Sequence, residues 1–189
     1  MPSVEKTEET LRYTWADYLT WEENVRVELV DGGAVAMAPP SGSHQGVVGE
    51  LFYRIRGFLE GKPCKVYPTP YAVRLNPRED GGDDTVFEPD IVVICDPAKL
   101  DKHGCKGAPD LVIEVLSPST ARYDRIVKFR KYQQAGVREY WIADPETQSV
   151  QVCVLENGRY VTFMYDEADT IPVTVLPGCR IALKDIFTK

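Results

Sequence analysis

The feature that most constrains the fold is a pair of apolar runs that each carry a carboxylate. They are Asp90-Ile-Val-Val-Ile-Cys95 and Asp110-Leu-Val-Ile-Glu114-Val-Leu-Ser117. Short, near-continuous runs of Ile, Val and Leu between turn residues have the pattern of strands buried on both faces. A charge among such residues is costly unless it is paired or held by a cation. If the two strands form an antiparallel pair through the loop DPAKLDKHGCKGA, the start of one lies beside the end of the other, and Asp90 faces Glu114. Hard oxygen ligands of this kind suit Mg²⁺ or Mn²⁺, with water and phosphate oxygens completing the shell. Asp110 shares the strand face of Glu114 but lies roughly 13 Å away along it, too far for both to bind one ion, so it ranks as a turn acid or outer support. Two bland readings stand beside these. Asp90 after Pro89 can be a turn acid, and Glu114 can sit in a buried ion pair with a helix lysine.

A helix is expected from Arg122 to Ala135, capped by the Ser117-Pro-Ser-Thr120 segment and ended by Gly136. Between Arg122 and Lys131 it holds five basic residues (Arg122, Arg125, Lys128, Arg130, Lys131) and one acid, Asp124. Following directly on the Glu114 strand, it must pack back over the sheet. A lysine on its inner stripe, Lys128, can then point its ammonium at the carboxylates and orient water or offset phosphate charge. Arg122, Arg125 and Lys131 are the expected phosphate contacts, which hold a nucleic acid without reading its sequence. The alternatives are an ordinary i,i+4 pair of Asp124 with Lys128 and a solvated face for the rest.

Elsewhere the pattern is equally local. A helix capped by Thr14 is expected through Trp21, and a hairpin in which VRVELV and AVAMAP flank Asp31-Gly32-Gly33. An amphipathic helix, roughly His44 to Leu59, repeats Val48, Leu51, Ile55 and Leu59 before the stop Gly61-Lys-Pro63. KVYPTPYAVRL is a strand region interrupted by Pro68 and Pro70, and NPREDGGDD a polar loop. EYWIAD is a short buried strand, and Asn157-Gly158 joins the two strands of a second hairpin. The tail PVTVLPGCRIALKDIF reads as one strand and a helical turn. The sum is a mixed α/β domain spanning 1–189, with a helix-strand-strand-strand-helix-strand core over about 44–144, an N-terminal helix and hairpin over 10–40 and a C-terminal hairpin extension over 148–189.

Composition narrows the class without deciding it. A net charge of −7 argues against a general nucleic-acid coating protein, but not against an enzyme with a local basic patch. No run approaches the roughly 18 apolar residues of a membrane helix, and the N-terminus lacks an apolar signal core, so a cytoplasmic protein without a membrane partner is expected. The five scattered cysteines read as reduced, partly core residues.

EPDIVVI, APDLVIEVLSPST and YDRIVKFRKYQQAGVREYWIADPE, with VELVDGGAVAMAPPSGSHQGVVGEL upstream, resemble the Uma family of restriction-endonuclease-type proteins, domain-of-unknown-function members of the PD-(D/E)XK nuclease superfamily. The resemblance covers most of the chain. It implies a restriction-endonuclease-like fold and hydrolysis of phosphodiester bonds in nucleic acid, with DNA the expected substrate. It makes Asp90 the metal-binding aspartate and Glu114 the acid of the (D/E)XK element, which hold Mg²⁺ (or Mn²⁺) together with the backbone carbonyl of Val115. The sequence departs from the superfamily two positions later, where Leu116 stands in place of the lysine. In the Uma-like variant a lysine from the next helix takes that role, and Lys128 matches it. Glu28 is an extra acid near the site by looser correspondence. His44, at a helix start, is a capping, core or catalytic histidine. By analogy with such folds a homodimer is expected. Competing functions are a nuclease-shaped binding or oligomeric interaction module without activity, and a small-molecule phosphodiesterase or structural oligomer.

Overall fold

The computed structural model describes residues 11–21 and 26–187. The expectations for the extreme N-terminus, and for Val25 at the start of VRVELV, lie outside those residues.

The N-terminal helix α1 is shorter than expected, Trp15–Tyr18. Thr14 and Asp17 cap each other's backbone, but Leu19 to Trp21 turn away from the helix. Strands β1 (Val27–Val30) and β2 (Gly33–Ala36) form the expected hairpin. Its two turn residues, Asp31 and Gly32, both have positive φ, as the right-handed strand twist requires. Helix α2 (Gly42–Phe58) starts where the Ser41 side chain accepts the His44 amide, and it buries Val47, Val48, Leu51 and Ile55.

Strands β3 (Lys65–Pro68), β4 (Ala72–Arg74), β5 (Val86–Phe87) and β6 (Ile91–Ile94) follow. The segment expected to be a loop between the two acid-bearing strands instead contains β7 (Leu100–Asp101) and β8 (Gly104–Lys106). β8 runs parallel to β4, and Gly104 (φ +147) is needed there because a Cβ would strike the Ala72 carbonyl. Next come β9 (Leu111–Val115), a π-helical segment Tyr123–Lys128 that continues into α3 (Phe129–Ala135), and β10 (Glu139–Asp144). Gly136 ends α3 in the left-handed conformation. β11 (Ser149–Glu156) and β12 (Arg159–Tyr165) form the Asn157-Gly158 hairpin. The tail holds two short strands rather than one, β13 (Thr170–Pro172) and β14 (Arg180–Ala182), and then a 3₁₀ turn.

The central sheet has the order β12-β11-β10-β9-β6-β3, with β9 and β10 parallel and the other neighbours antiparallel. With α2 before β3 and α3 before β10, the expected mixed α/β core order is present. Alternate residues of each strand serve two cores. Ile91, Val93, Ile113 and Trp141 pack with α2 and the C-terminal hairpin. Val92, Ile94, Val112 and Tyr140 pack with α3 and with Val73 and Phe87 of the second sheet, β2-β1-β5-β4-β8-β7. Each fully buried aliphatic or aromatic side chain contributes about 1.5–3 kcal/mol, so this sheet, covered on both faces, fixes the strand register.

That register corrects the expectation of reduced cysteines. β3 and β6 are antiparallel with Lys65 opposite Ile94, which sets Cys64 opposite Cys95, and the two form a disulfide. Cys105, Cys153 and Cys179 are free and buried. Among the described residues no helix is long and apolar enough to cross a membrane.

Candidate functional site

Antiparallel pairing of β6 with β9 sets Ile91 opposite Ile113, so the next pair outward is Asp90 and Glu114. Both belong to the sheet face that carries Val92 and Val112. Asp90 Oδ2 accepts the Val115 amide at 2.8 Å and lies 3.2 Å from His44 Nε2, the imidazole being supplied by the first turn of α2. Glu114 Oε1 accepts two hydrogen bonds, one from Lys128 Nζ and one from Tyr132 Oη, both at 2.8 Å. Lys128 Nζ is also 2.9 Å from Glu28 Oε1 and 3.7 Å from Asp124 Oδ1.

The π-helical turn places Asp124 and Lys128, four residues apart, together on the buried side. Such turns recur at functional sites. Leu116, which stands where the superfamily lysine would be, packs in the core instead.

Three carboxylates (Glu28, Glu114, Asp124), each 4% exposed or less, therefore surround a single ammonium, and Asp90 stands beside Glu114 on the neighbouring strand. Burial pushes Glu114 well above the usual carboxylate range, despite the opposing pull of Lys128. Burial likewise pushes Asp124 up to about 6 against Lys128 and the Thr120 side chain. For Lys128 burial acts downward, but Glu114, Glu28 and Asp124 outweigh it and hold the ammonium well above its ordinary value. His44 is also raised, because the pairing with Asp90 outweighs the burial of its ring. Three buried carboxyl groups thus share one ammonium, and burial favours the protonated forms of two of them, Glu114 and Asp124.

A small cavity of about 50 Å³ opens over these groups, lined by Arg26, His44, Asp90, Glu114, Val115 and Lys128 among others. At about 10–15 Å³ of such space per water, it has room for an ion with a few waters. Among the described residues no three His, Cys, Asp or Glu side chains are gathered as a ready-made metal cage.

The other expected residues fall in different places. Asp110 stands at the far end of β9, where it accepts the Cys95 amide at 2.7 Å and faces Arg138 at 3.0 Å. It is not part of the group. Arg122 is exposed. Arg125 is paired with Asp144 at 3.2 Å and donates to Gln151, and Lys131 is paired with Asp31. Two of the three expected phosphate contacts are thus already engaged. Sequence reasoning gave no site role to Tyr132, one turn beyond Lys128, or to Arg26, and read Asp124 only as an ordinary helical ion-pair partner. The helical spacing 124, 128, 132 was the available signal. Nothing local marks Arg26.

Two relatives frame this geometry. The uncharacterized protein slr1290 of Synechocystis sp. PCC 6803 is 29% identical over 176 residues, covering 90% of this chain and 89% of its own. The crystal structure described as "a putative nuclease belonging to DUF820" from Anabaena variabilis superposes with a TM-score of 0.75 over 93% of this chain and 97% of that one. At 20% identity this likeness shows the fold alone. The family model Uma2, described as "Putative restriction endonuclease", matches residues 15–184, and the chain therefore belongs to the Uma2 family.

Proposed function

We propose that the protein is a metal-dependent nuclease that hydrolyses phosphodiester bonds, with DNA as its substrate and Asp90, Glu114 and Lys128 as its working groups. Membership of the Uma2 family supports a nuclease-like role. The observation that carries the finer reading is the excess of buried carboxylate over ammonium at the strand ends.

The donor set suits Mg²⁺ or Mn²⁺. Among the described residues Asp90 Oδ1 and Glu114 Oε2 receive no hydrogen bond. Mg²⁺ is commonly held by one or two carboxylates and keeps its waters, so a full protein cage is not required. Those two carboxylates would hold the ion, with the Val115 carbonyl beside them. When bound, such an ion lowers the pKa of a water and offsets charge on the scissile phosphate.

The remaining groups have roles set by their own geometry. Lys128 cannot act as a base, since its carboxylate neighbours keep it protonated. It is a fixed positive charge, held by three acids, that orients water and balances charge as the phosphorus becomes pentavalent. His44 and the Val115 amide pin one oxygen of Asp90, leaving the other for the ion. Arg26, on the cavity wall, is placed to meet a flanking phosphate.

The test is cleavage of plasmid, linear duplex, single-stranded DNA and RNA with Mg²⁺, Mn²⁺ or EDTA. Asp90→Asn, Glu114→Gln and Lys128→Met should each lose at least about a hundredfold in rate, on the order of one electrostatic contact in a transition state. A properly folded Asp90→Ala protein that cuts like wild type would refute the assignment. Metal-independent binding without cleavage would establish the inactive-module reading, which the occupied Glu114 oxygen favours.

The homodimer expected from the sequence is proposed at β12. It is an edge strand of the central sheet, with Val161, Phe163 and Met164 exposed. An open apolar edge of this kind is a template for pairing with a second copy. Light scattering of wild type and Phe163→Lys decides it, because an unchanged mass would remove this interface.

A further inference from the structure

Among the described residues, the acid-lined cavity has no Trp, Tyr or Phe in its lining on which a base could stack. A second, open cleft of about 370 Å³ is lined by Trp15, Tyr18, Pro70, Tyr71 and His103, with Glu88 at its edge. Tyr71 is stacked flat on Tyr67, with ring centroids 4.2 Å apart and planes 4° from parallel. One face of Tyr71 is thereby backed by Tyr67, which is not itself in the cleft lining, while Tyr71 is. Trp15 and Tyr18 line the same cleft. The Arg74 guanidinium lies 4.8 Å from the Trp15 ring centroid, and Tyr18 stacks on Trp15 at 5.2 Å and 19°.

The cleft and the acidic cavity share a wall. Thr69 lines the cavity and its neighbour Pro70 lines the cleft, while Asp90 lines the cavity and Glu88 lines the cleft. The Thr69 amide donates to the Asp90 carbonyl at 3.0 Å, which ties the two segments together. Arg26 sits at this junction, with its NH2 nitrogen 3.3 Å from Thr69 Oγ1 and 4.0 Å from Glu88 Oε2. A guanidinium there meets the backbone of a strand passing from one hollow to the other.

Resting on the nuclease reading of the acidic cavity, we propose that the cleft stacks one unpaired base of the strand being cut on Tyr71, beside the guanidinium of Arg26, so that the substrate is single-stranded or locally unpaired nucleic acid. A base stacked on Tyr71 has left its own stack and partner strand. Stacking on an aromatic face tolerates every base, so the cleft favours unpaired substrate without reading sequence.

The experiment uses the full-length protein in EDTA, so that no strand is cut, and a single-stranded oligonucleotide carrying one 2-aminopurine. Binding should quench the probe. Tyr71→Phe should keep the quench, and Tyr71→Leu should lose it and bind about 5- to 100-fold more weakly. The matching duplex should bind more weakly than the single strand. In case Tyr71→Leu fails to fold, wild-type protein is photocrosslinked to a strand containing 5-iododeoxyuridine, and the adduct should fall on the peptide holding Tyr71 or on Trp15 or Tyr18. Unquenched binding, an adduct elsewhere, wild-type affinity in folded Tyr71→Leu, or no oligonucleotide binding would each overturn the proposal. Quench and adduct without cleavage in any metal would leave the stacking site standing and remove the nuclease reading. Cleavage without quench or adduct would do the reverse.

Discussion

Replacing Lys128 by Met tests the electrostatics of the site independently of catalysis. Methionine keeps an unbranched apolar stem, one atom shorter than that of lysine, in a site where Nζ lies 5.5 Å from the ring centroids of both Phe87 and Tyr123. It deletes the ammonium that lies 2.8 Å from Glu114 and 2.9 Å from Glu28. At an effective dielectric of about 20, each of these contacts is worth on the order of 6 kcal/mol before desolvation is counted. The desolvation that burial imposes on Lys128 itself offsets much of this, and breaking a buried pair from one side has a net cost of about 3–5 kcal/mol. The acids have one escape, which is to take up a proton. For a carboxyl with an ordinary value of 4.5, protonation at pH 7 costs about 3 kcal/mol, and at pH 5 under 1 kcal/mol. The loss of stability should therefore be about 3–5 kcal/mol near pH 7 and shrink by about 2 kcal/mol or more at pH 5. Urea denaturation followed by tryptophan fluorescence reads this directly, since Trp141 of β10 is completely buried in the central sheet. Equal stability of Lys128→Met and wild type at pH 7, or a loss that is the same at both pH values, would refute the account.

The remaining predictions concern the same cluster and its frame. The raised value of Asp124, about 6 against an ordinary 3.8, means that its contribution is fully present below the lower value and is lost as pH rises through the higher one. This amounts to about 3 kcal/mol for the isolated group. Asp124→Asn should accordingly flatten the fall in stability between pH 4 and 7, and an unchanged profile would count against the burial argument. Saturating Mg²⁺, at about 100 times its Kd, should add about 3 kcal/mol to wild type and raise Tm by roughly 5–10 °C, but not in Asp90→Asn. Calorimetry showing no shift in wild type would remove the ion from the site. Reducing the Cys64–Cys95 bridge, which spans 31 residues, should cost about 3–4 kcal/mol. A Cys64→Ser/Cys95→Ser protein as stable as wild type would show that the sheet alone holds β3.

What could be read in advance was whatever local periodicity encodes. The strands Ile91–Ile94 and Leu111–Val115, helix α2 and both two-residue hairpins follow from spacing and turn chemistry. The facing of Asp90 and Glu114 follows from antiparallel pairing, because side chains directly opposite share a face. The proximity of Lys128 to Glu114 was legible in outline, since a helix that follows a strand directly must pack back on the sheet.

Tertiary structure decided the rest. β8 adds to β4 rather than remaining a loop, the tail folds into two strands, and Cys64 meets Cys95, because each of these pairings satisfies backbone or side-chain groups with partners distant in the chain. The convergence of Glu28 and Asp124 on the Lys128 ammonium, and of Tyr132 on its partner Glu114, has the same origin. Each residue has an ordinary local role, and only the packing of a hairpin, a strand and a helix against one another puts them around one buried ion pair. Asp110 shows the converse. Its strand and face match those of Glu114, yet its position at the opposite end of β9 gives it a backbone amide and Arg138 instead of the site. Local pattern specified the acid-bearing strands, helix α2 and both hairpins, and which acids lie within them. The three-dimensional assembly determined which of those acids share a pocket, because electrostatic interaction depends on distance through space and local pattern specifies only distance along the chain.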